Sequence, residues 1–141
     1  MTHKLGVADY PLAEKRPELV KGRGGKPLEA ITLDGVVSGD VTLDDLRITP
    51  EALRQQAEIA RAAGRATLAA NFERASELCE VPQDFIMAVY ELLRPGRAKD
   101  KAPLLAAART LRETYGAERM AAFVEEAATV YERRGLYTYR F

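Results

Sequence analysis

Tryptophan is absent from this chain, histidine and cysteine occur once each, and neither sign of charge prevails: Lys plus Arg and Asp plus Glu each total 21. Each shortage excludes something. A lone cysteine, Cys79, rules out an internal disulfide and fits a reducing compartment. A lone histidine, His3, beside that one cysteine leaves too few ligands for a zinc or iron site of the His/Cys type within one chain. The same poverty makes a Cys–His or Ser–His catalytic pair implausible, and His3 is expected to be a solvated terminal residue. Zero net charge removes any whole-chain field that would favour nucleic acid or an anionic membrane. No apolar run approaches the roughly 20 residues of a transmembrane helix. The N-terminal stretch lacks the apolar core of about 7–15 residues that a secretory signal needs. The chain reads as cytoplasmic.

What is present is alanine. Of 23 alanines, 20 follow Pro50, and the best helix former used that densely predicts an almost wholly helical C-terminal two-thirds. At 141 residues the chain is one domain by size. Thr49 and Pro50 form a helix start signal. From there Ala52, Leu53, Gln56, Ala57, Ile59, Ala60, Ala63 and Gly64 share an arc of roughly 160°, opposite Glu51, Arg54, Glu58, Arg61 and Arg65. After Gly64 a second stripe follows, Leu68, Phe72, Ala75 and Cys79, with Asn71 beside it. The pattern predicts a helical hairpin or a kinked helix. Further helices are expected from Pro82 to Pro95, with Ile86, Val89, Tyr90 and Leu93 as stripe; up to Gly116, with Leu104, Ala108, Leu111 and Tyr115; and up to Gly135, with Met120, Phe123, Val124, Ala127, Val130 and Tyr131.

The first third differs. Tyr10-Pro11, Arg16-Pro17 and Lys26-Pro27 interrupt any helix, and Gly22 to Lys26 reads as a flexible hinge. Residues 1–30 are expected to be an extended arm that orders only against something else. A short helix from Thr32 to Gly39 and a capping box of Thr42 and Asp45 lead into Arg47. Residues 136–141 alternate like a strand or an extended tail.

Candidate chemistry is sparse. Gly22 to Lys26 has no preceding strand and the wrong glycine spacing for a phosphate loop. Asp44-Asp45 and Glu125-Glu126 are adjacent in sequence, so neither pair shares a helix face; capping and solvation explain them. Residues 94–101 form a basic loop with no interleaved aromatic residue, which does not support nucleic-acid stacking. Cys79 on its apolar stripe reads as a buried, inert thiol. The Arg54, Arg61 and Arg65 ridge is either a solvated salt-bridge face or a protein-docking face. By these residues alone the chain is not an enzyme.

Long ordered strings add an identity. Arg47-Ile48-Thr49-Pro50-Glu51, Leu53-Arg54, Gln56-Ala57, Ala63-Gly64-Arg65, Leu68-Ala69, Asn71-Phe72-Glu73-Arg74-Ala75 and Glu77-Leu78 resemble the small (gamma) subunit of adenosylcobalamin-dependent diol and glycerol dehydratases. The resemblance extends to Asp9-Tyr10-Pro11-Leu12, Val81-Pro82, Leu93-Arg94-Pro95 and Ala121-Ala122-Phe123-Val124. It implies a heteromeric enzyme of large (alpha) catalytic, medium (beta) and small subunits, arranged as a dimer of heterotrimers. Adenosylcobalamin and a metal ion, potassium or calcium, are then held by the partner subunits, which dehydrate a 1,2-diol or glycerol to an aldehyde by a radical route. The small subunit is implied to be helical and to carry no catalytic, cofactor or metal residue.

The resulting expectation is an all-α chain of about five main helices in a bundle-like arrangement. Its arm spans residues 1–30 and its single helical domain residues 31–141. It would assemble and stabilise a dehydratase; a free-standing helical adaptor or regulator is the alternative. Arg47, Arg54, Asn71, Glu73 and Arg74 are the expected polar interface residues, with Asn71 in need of a specific hydrogen-bond partner. Only eight residues precede Asp9, fewer than the targeting helix of some relatives, so entry into a bacterial microcompartment would depend on partner subunits.

Overall fold

The computed structural model describes residues 3–138. Seven α-helices account for most of this span: α1 (Leu12–Lys15), α2 (Leu33–Ser38), α3 (Pro50–Ala62), α4 (Ala66–Leu78), α5 (Gln83–Leu93), α6 (Ala102–Glu113) and α7 (Glu118–Arg134). Five of them, α3 to α7, are long, as the alanine distribution predicts. Among the described residues there is no strand, only an isolated antiparallel bridge between Lys21 and Pro27. The chain divides into two units, Met1–Cys79 and Glu80–Phe141.

In the first unit α3 and α4 form a helical hairpin, so the restart of periodicity after Gly64 marks a true reversal. The Thr49 hydroxyl accepts from the Ala52 amide at 3.1 Å and starts α3. Gly64, at φ +74°, ends it. The Arg65 amide donates back to Ala60 and the Gly64 amide to Arg61, the paired bonds of a Schellman stop. Ala57, Ala60 and Ala69 form the buried seam, with Leu68 and Phe72 packed against it. Small side chains let the two helices approach closely. Cys79 is half-buried, less sequestered than its stripe suggested, and its thiol donates to the Ala75 carbonyl at 3.7 Å.

The N-terminal segment is not uniformly extended. It makes short 3-10 turns at Val7–Asp9 and Pro17–Leu19 on either side of α1. Leu5 and Leu12 are buried against Ile59 of α3, with Leu19 and Val20 beside them, and the Leu5 amide donates to Glu58 at 3.0 Å. The prolines stop helices from propagating here, but apolar side chains still find the back of α3.

The expected glycine hinge is instead a closed turn. The Gly22 amide donates to the Lys26 carbonyl, and the turn wraps around the buried carboxylate of Asp45. A Cβ at Gly22 would lie 2.5 Å from the Asp45 carbonyl oxygen, and one at Gly24 would lie 2.8 Å from its Oδ1. Close approach, not freedom, explains these glycines. α2 forms where expected, with Thr32 accepting from Gly35 and Gly39 at φ +86° ending it. The capping-box spacing is also realised, since Asp45 accepts from the Thr42 amide at 2.9 Å.

The second unit is built on α6 and α7. Leu104, Ala107, Ala108 and Leu111 are buried on α6; Ala121, Val124 and Ala128 are buried on α7. The expected α7 stripe is thus corrected. Phe123 is exposed, and alanines flank Val124 on the inward face. Arg112 clamps the pair, meeting Glu125 at 2.7 Å and Glu118 at 2.9 Å. Its hydrogen bonds, and then its charge, hold Glu125 below the ordinary carboxylate range. On α5 Val89 is buried whereas Tyr90 is exposed, and Phe85 stacks obliquely on Tyr115 at 5.5 Å. Tyr131 donates from its hydroxyl to the Leu93 carbonyl, fixing α7 to the end of α5. The strand or tail expected over 136–141 is corrected for residues 136–138, which form a turn. There Leu136 accepts from Gly96, and Tyr137 donates to Ala128. The rest of that expectation lies outside the described residues.

Candidate docking surface

Among the described residues no group of three or more His, Cys, Asp or Glu side chains converges to hold a metal ion. His3 is largely exposed and lies 3.7 Å from Asp9. Asp9 is held below the usual carboxylate range by the Gly6 amide and then by Arg16. Arg16 meets it at 3.0 Å and Glu18 at 2.6 Å, so the cluster serves the turn that carries Val7 and Tyr10. The basic loop is partly neutralised from within: Arg94 and Arg97 reach Glu91, and Lys101 reaches Glu132 at 3.0 Å. Among the described residues no helix is long and apolar enough to cross a membrane.

Concave surface is found at the α3–α4 corner. A groove of about 300 Å³ runs between the N-terminal turn and the hairpin, with Val7, Tyr10, Ile59, Leu68 and Phe72 among its walls. A shallower depression of about 490 Å³ lies at the reversal itself, over Gly64 to Leu68 and Asn71. Arg65 and Leu68 line both. The result is a largely apolar concavity with a guanidinium and an amide at one side. Concave, largely apolar surface of this kind suits the burial of apolar groups.

The polar residues expected at an interface do not gather at this corner: Asn71 lines the depression, Arg47 and Arg54 lie near the start of α3, and each of the five has a neighbour in the chain. Asn71 is exposed beside its stripe, and its partner is local: its Oδ1 accepts from Arg74 one turn on. Glu73 pairs with Arg61 at 2.6 Å, tying α4 to α3. Arg54 reaches Glu51 at 4.0 Å and Arg47 reaches Asp44 at 3.9 Å, both exposed and three residues apart. Surface pairs of that kind contribute little. The structure therefore joins Asn71 to Arg74 but gathers the five into no single cluster.

Charge reasoning missed a second feature. Between Leu28 and Ile48, large apolar side chains stand in water: Val37 is 81% exposed, Leu33 77%, Leu43 71% and Ile48 60%. The sequence signal was there, since Leu33, Val36 and Val37 share one helical face. What it did not show is that, among the described residues, no other element covers that face.

Similarity to known proteins is extensive. A family model described as dehydratase small subunit matches residues 5–137. The propanediol dehydratase small subunit of Citrobacter freundii is 53% identical over 132 residues, covering 94% of this chain and 76% of that protein. The propanediol dehydratase small subunit of Salmonella typhimurium strain LT2 is 54% identical over 128 residues, covering 91% and 73% respectively.

Proposed function

The chain belongs to the dehydratase small-subunit family, and from that premise we propose that it is the small subunit of a heteromeric adenosylcobalamin-dependent diol or glycerol dehydratase. Its role is assembly and stability of the complex. It binds a large catalytic subunit and a medium subunit, in a dimer of heterotrimers, through the helical domain 31–141 and the arm 1–30. The reaction is radical dehydration of a 1,2-diol or glycerol to an aldehyde and water. In this reading adenosylcobalamin and a potassium or calcium ion are held by the partner subunits. The complex works in the cytoplasm, or within a microcompartment that partner subunits enter.

The carrying observation is the family match across residues 5–137, supported by identities above one half to two small subunits. Arg47, Arg54, Asn71, Glu73 and Arg74 serve as polar contacts at the approach to α3 and along α3 and α4. The test is co-expression of the larger subunits encoded with this chain, with and without it. Omission is expected to lower both the yield of intact complex and diol-dependent aldehyde production. Undiminished activity and stability without the chain would overturn the reading.

A further inference from the structure

Resting on the small-subunit reading, we infer that the segment from Leu28 to Ile48 is an apolar docking ribbon. It is covered in the complex by a face of a larger subunit that is apolar and bordered by lysine or arginine. Leu33, Val36 and Val37 share one face of α2, and Leu43 and Leu46 stand one 3-10 turn apart, all exposed. A run of large side chains left in water this way marks an interaction surface, not a random scatter.

The ribbon is held in shape. Val41 is buried against Gly35, where an added Cβ would lie 2.8 Å from the valine methyl. The Val41 amide donates to the Gly35 carbonyl at 2.9 Å. Asp45 anchors the far end through the Thr42 amide and the Lys26 ammonium, each at 2.9 Å. Little ordering is left to be done on binding.

Charge identifies the occupant. From Leu28 to Ile48 there are five acidic residues and one basic residue, Arg47. Asp45 is paired with Lys26, and Asp44 lies about 4 Å from both Arg23 and Arg47. Glu29, Asp34 and Asp40 have no cation within ion-pair distance among the described residues. A second copy of this chain would set these acids against themselves, and an anionic membrane would repel them. A basic-rimmed apolar face satisfies both features.

The experiment is a binding titration of the full-length chain against its co-encoded larger subunits. It compares the natural sequence with Leu33→Ser/Val37→Ser and with Asp34→Lys/Asp40→Lys. All these side chains are exposed, so the free variants should keep the natural chain's circular dichroism and melting temperature. The expected result is a loss of about 100-fold or more in affinity for the apolar pair. The charge pair should weaken binding about tenfold and reduce its salt dependence. Unchanged affinity in both variants would overturn the ribbon and leave the small-subunit reading intact. A natural chain that binds no larger subunit would overturn both. A dimer abolished by Leu33→Ser/Val37→Ser, with binding to the larger subunits unchanged, would also overturn the ribbon.

Discussion

Asp45 shows how one buried carboxylate organises a segment poor in regular structure. Its side chain is 5% exposed and accepts from the Thr42 amide, the Thr42 hydroxyl and the Lys26 ammonium. These bonds, the Thr42 amide first and Lys26 next, hold its pKa below the ordinary value. Because the folded value is depressed, the ionised group stabilises the fold at any pH above its unfolded value of 3.8. That contribution is lost as pH falls through the lower, folded value. Asp45→Asn should therefore melt at lower temperature than the natural chain at neutral pH. The gap should narrow on acidification below the unfolded value, as followed by circular dichroism across pH. A gap independent of pH would show that the carboxylate's charge is not what matters. Capping by Asp45 was legible in the sequence as Thr42 followed three residues later by an acid. The glycine turn wrapped around it was not, because Gly22 and Gly24 serve a contact about twenty residues away.

Among the elements, the long helices were legible because their ends carry local chemistry. Thr49-Pro50 starts α3, and Gly64, Gly116 and Gly135 stop helices at positive φ. Their inward faces were less legible. On α7 the sequence stripe runs through Met120, Phe123, Val124, Ala127, Val130 and Tyr131, of which Val124 is buried, together with the alanines Ala121 and Ala128. Close packing selects small residues, and hydrophobic size alone does not reveal which helix will come near. Leu111, in contrast, is one of the largest fully buried side chains and lies on the α6 stripe as expected. Leu111→Ala should leave a cavity and cost about 2–5 kcal/mol, measured as a lower midpoint in urea unfolding of the full chain. A cost under about 0.5 kcal/mol, typical of surface substitutions, would contradict the placement of Leu111 in the core. Prolines break the periodicity of the N-terminal segment, so the sequence alone points to an arm. Only the fold shows Leu5 and Leu12 meeting Ile59.

For the whole molecule, family membership was readable from long ordered strings, whereas the exposed apolar face of α2 was not readable from charge. Every polar residue chosen as an interface contact also has a partner within the chain, as with Arg74 on Asn71 and Arg61 on Glu73. A sequence cannot show which charges are already satisfied, nor which apolar face stays uncovered after folding. Leu33 and Val37 became informative only once α2 was seen standing in solvent. The central claim, that this chain acts as the small member of a larger dehydratase, is tested most directly by native mass spectrometry. The measurement is made on the tagged full-length chain, purified after co-expression with its larger subunits. The account predicts one assembly in which this chain and two larger chains are present in equal numbers. A tagged chain recovered alone, while the larger subunits assemble and turn over diol without it, would contradict the account.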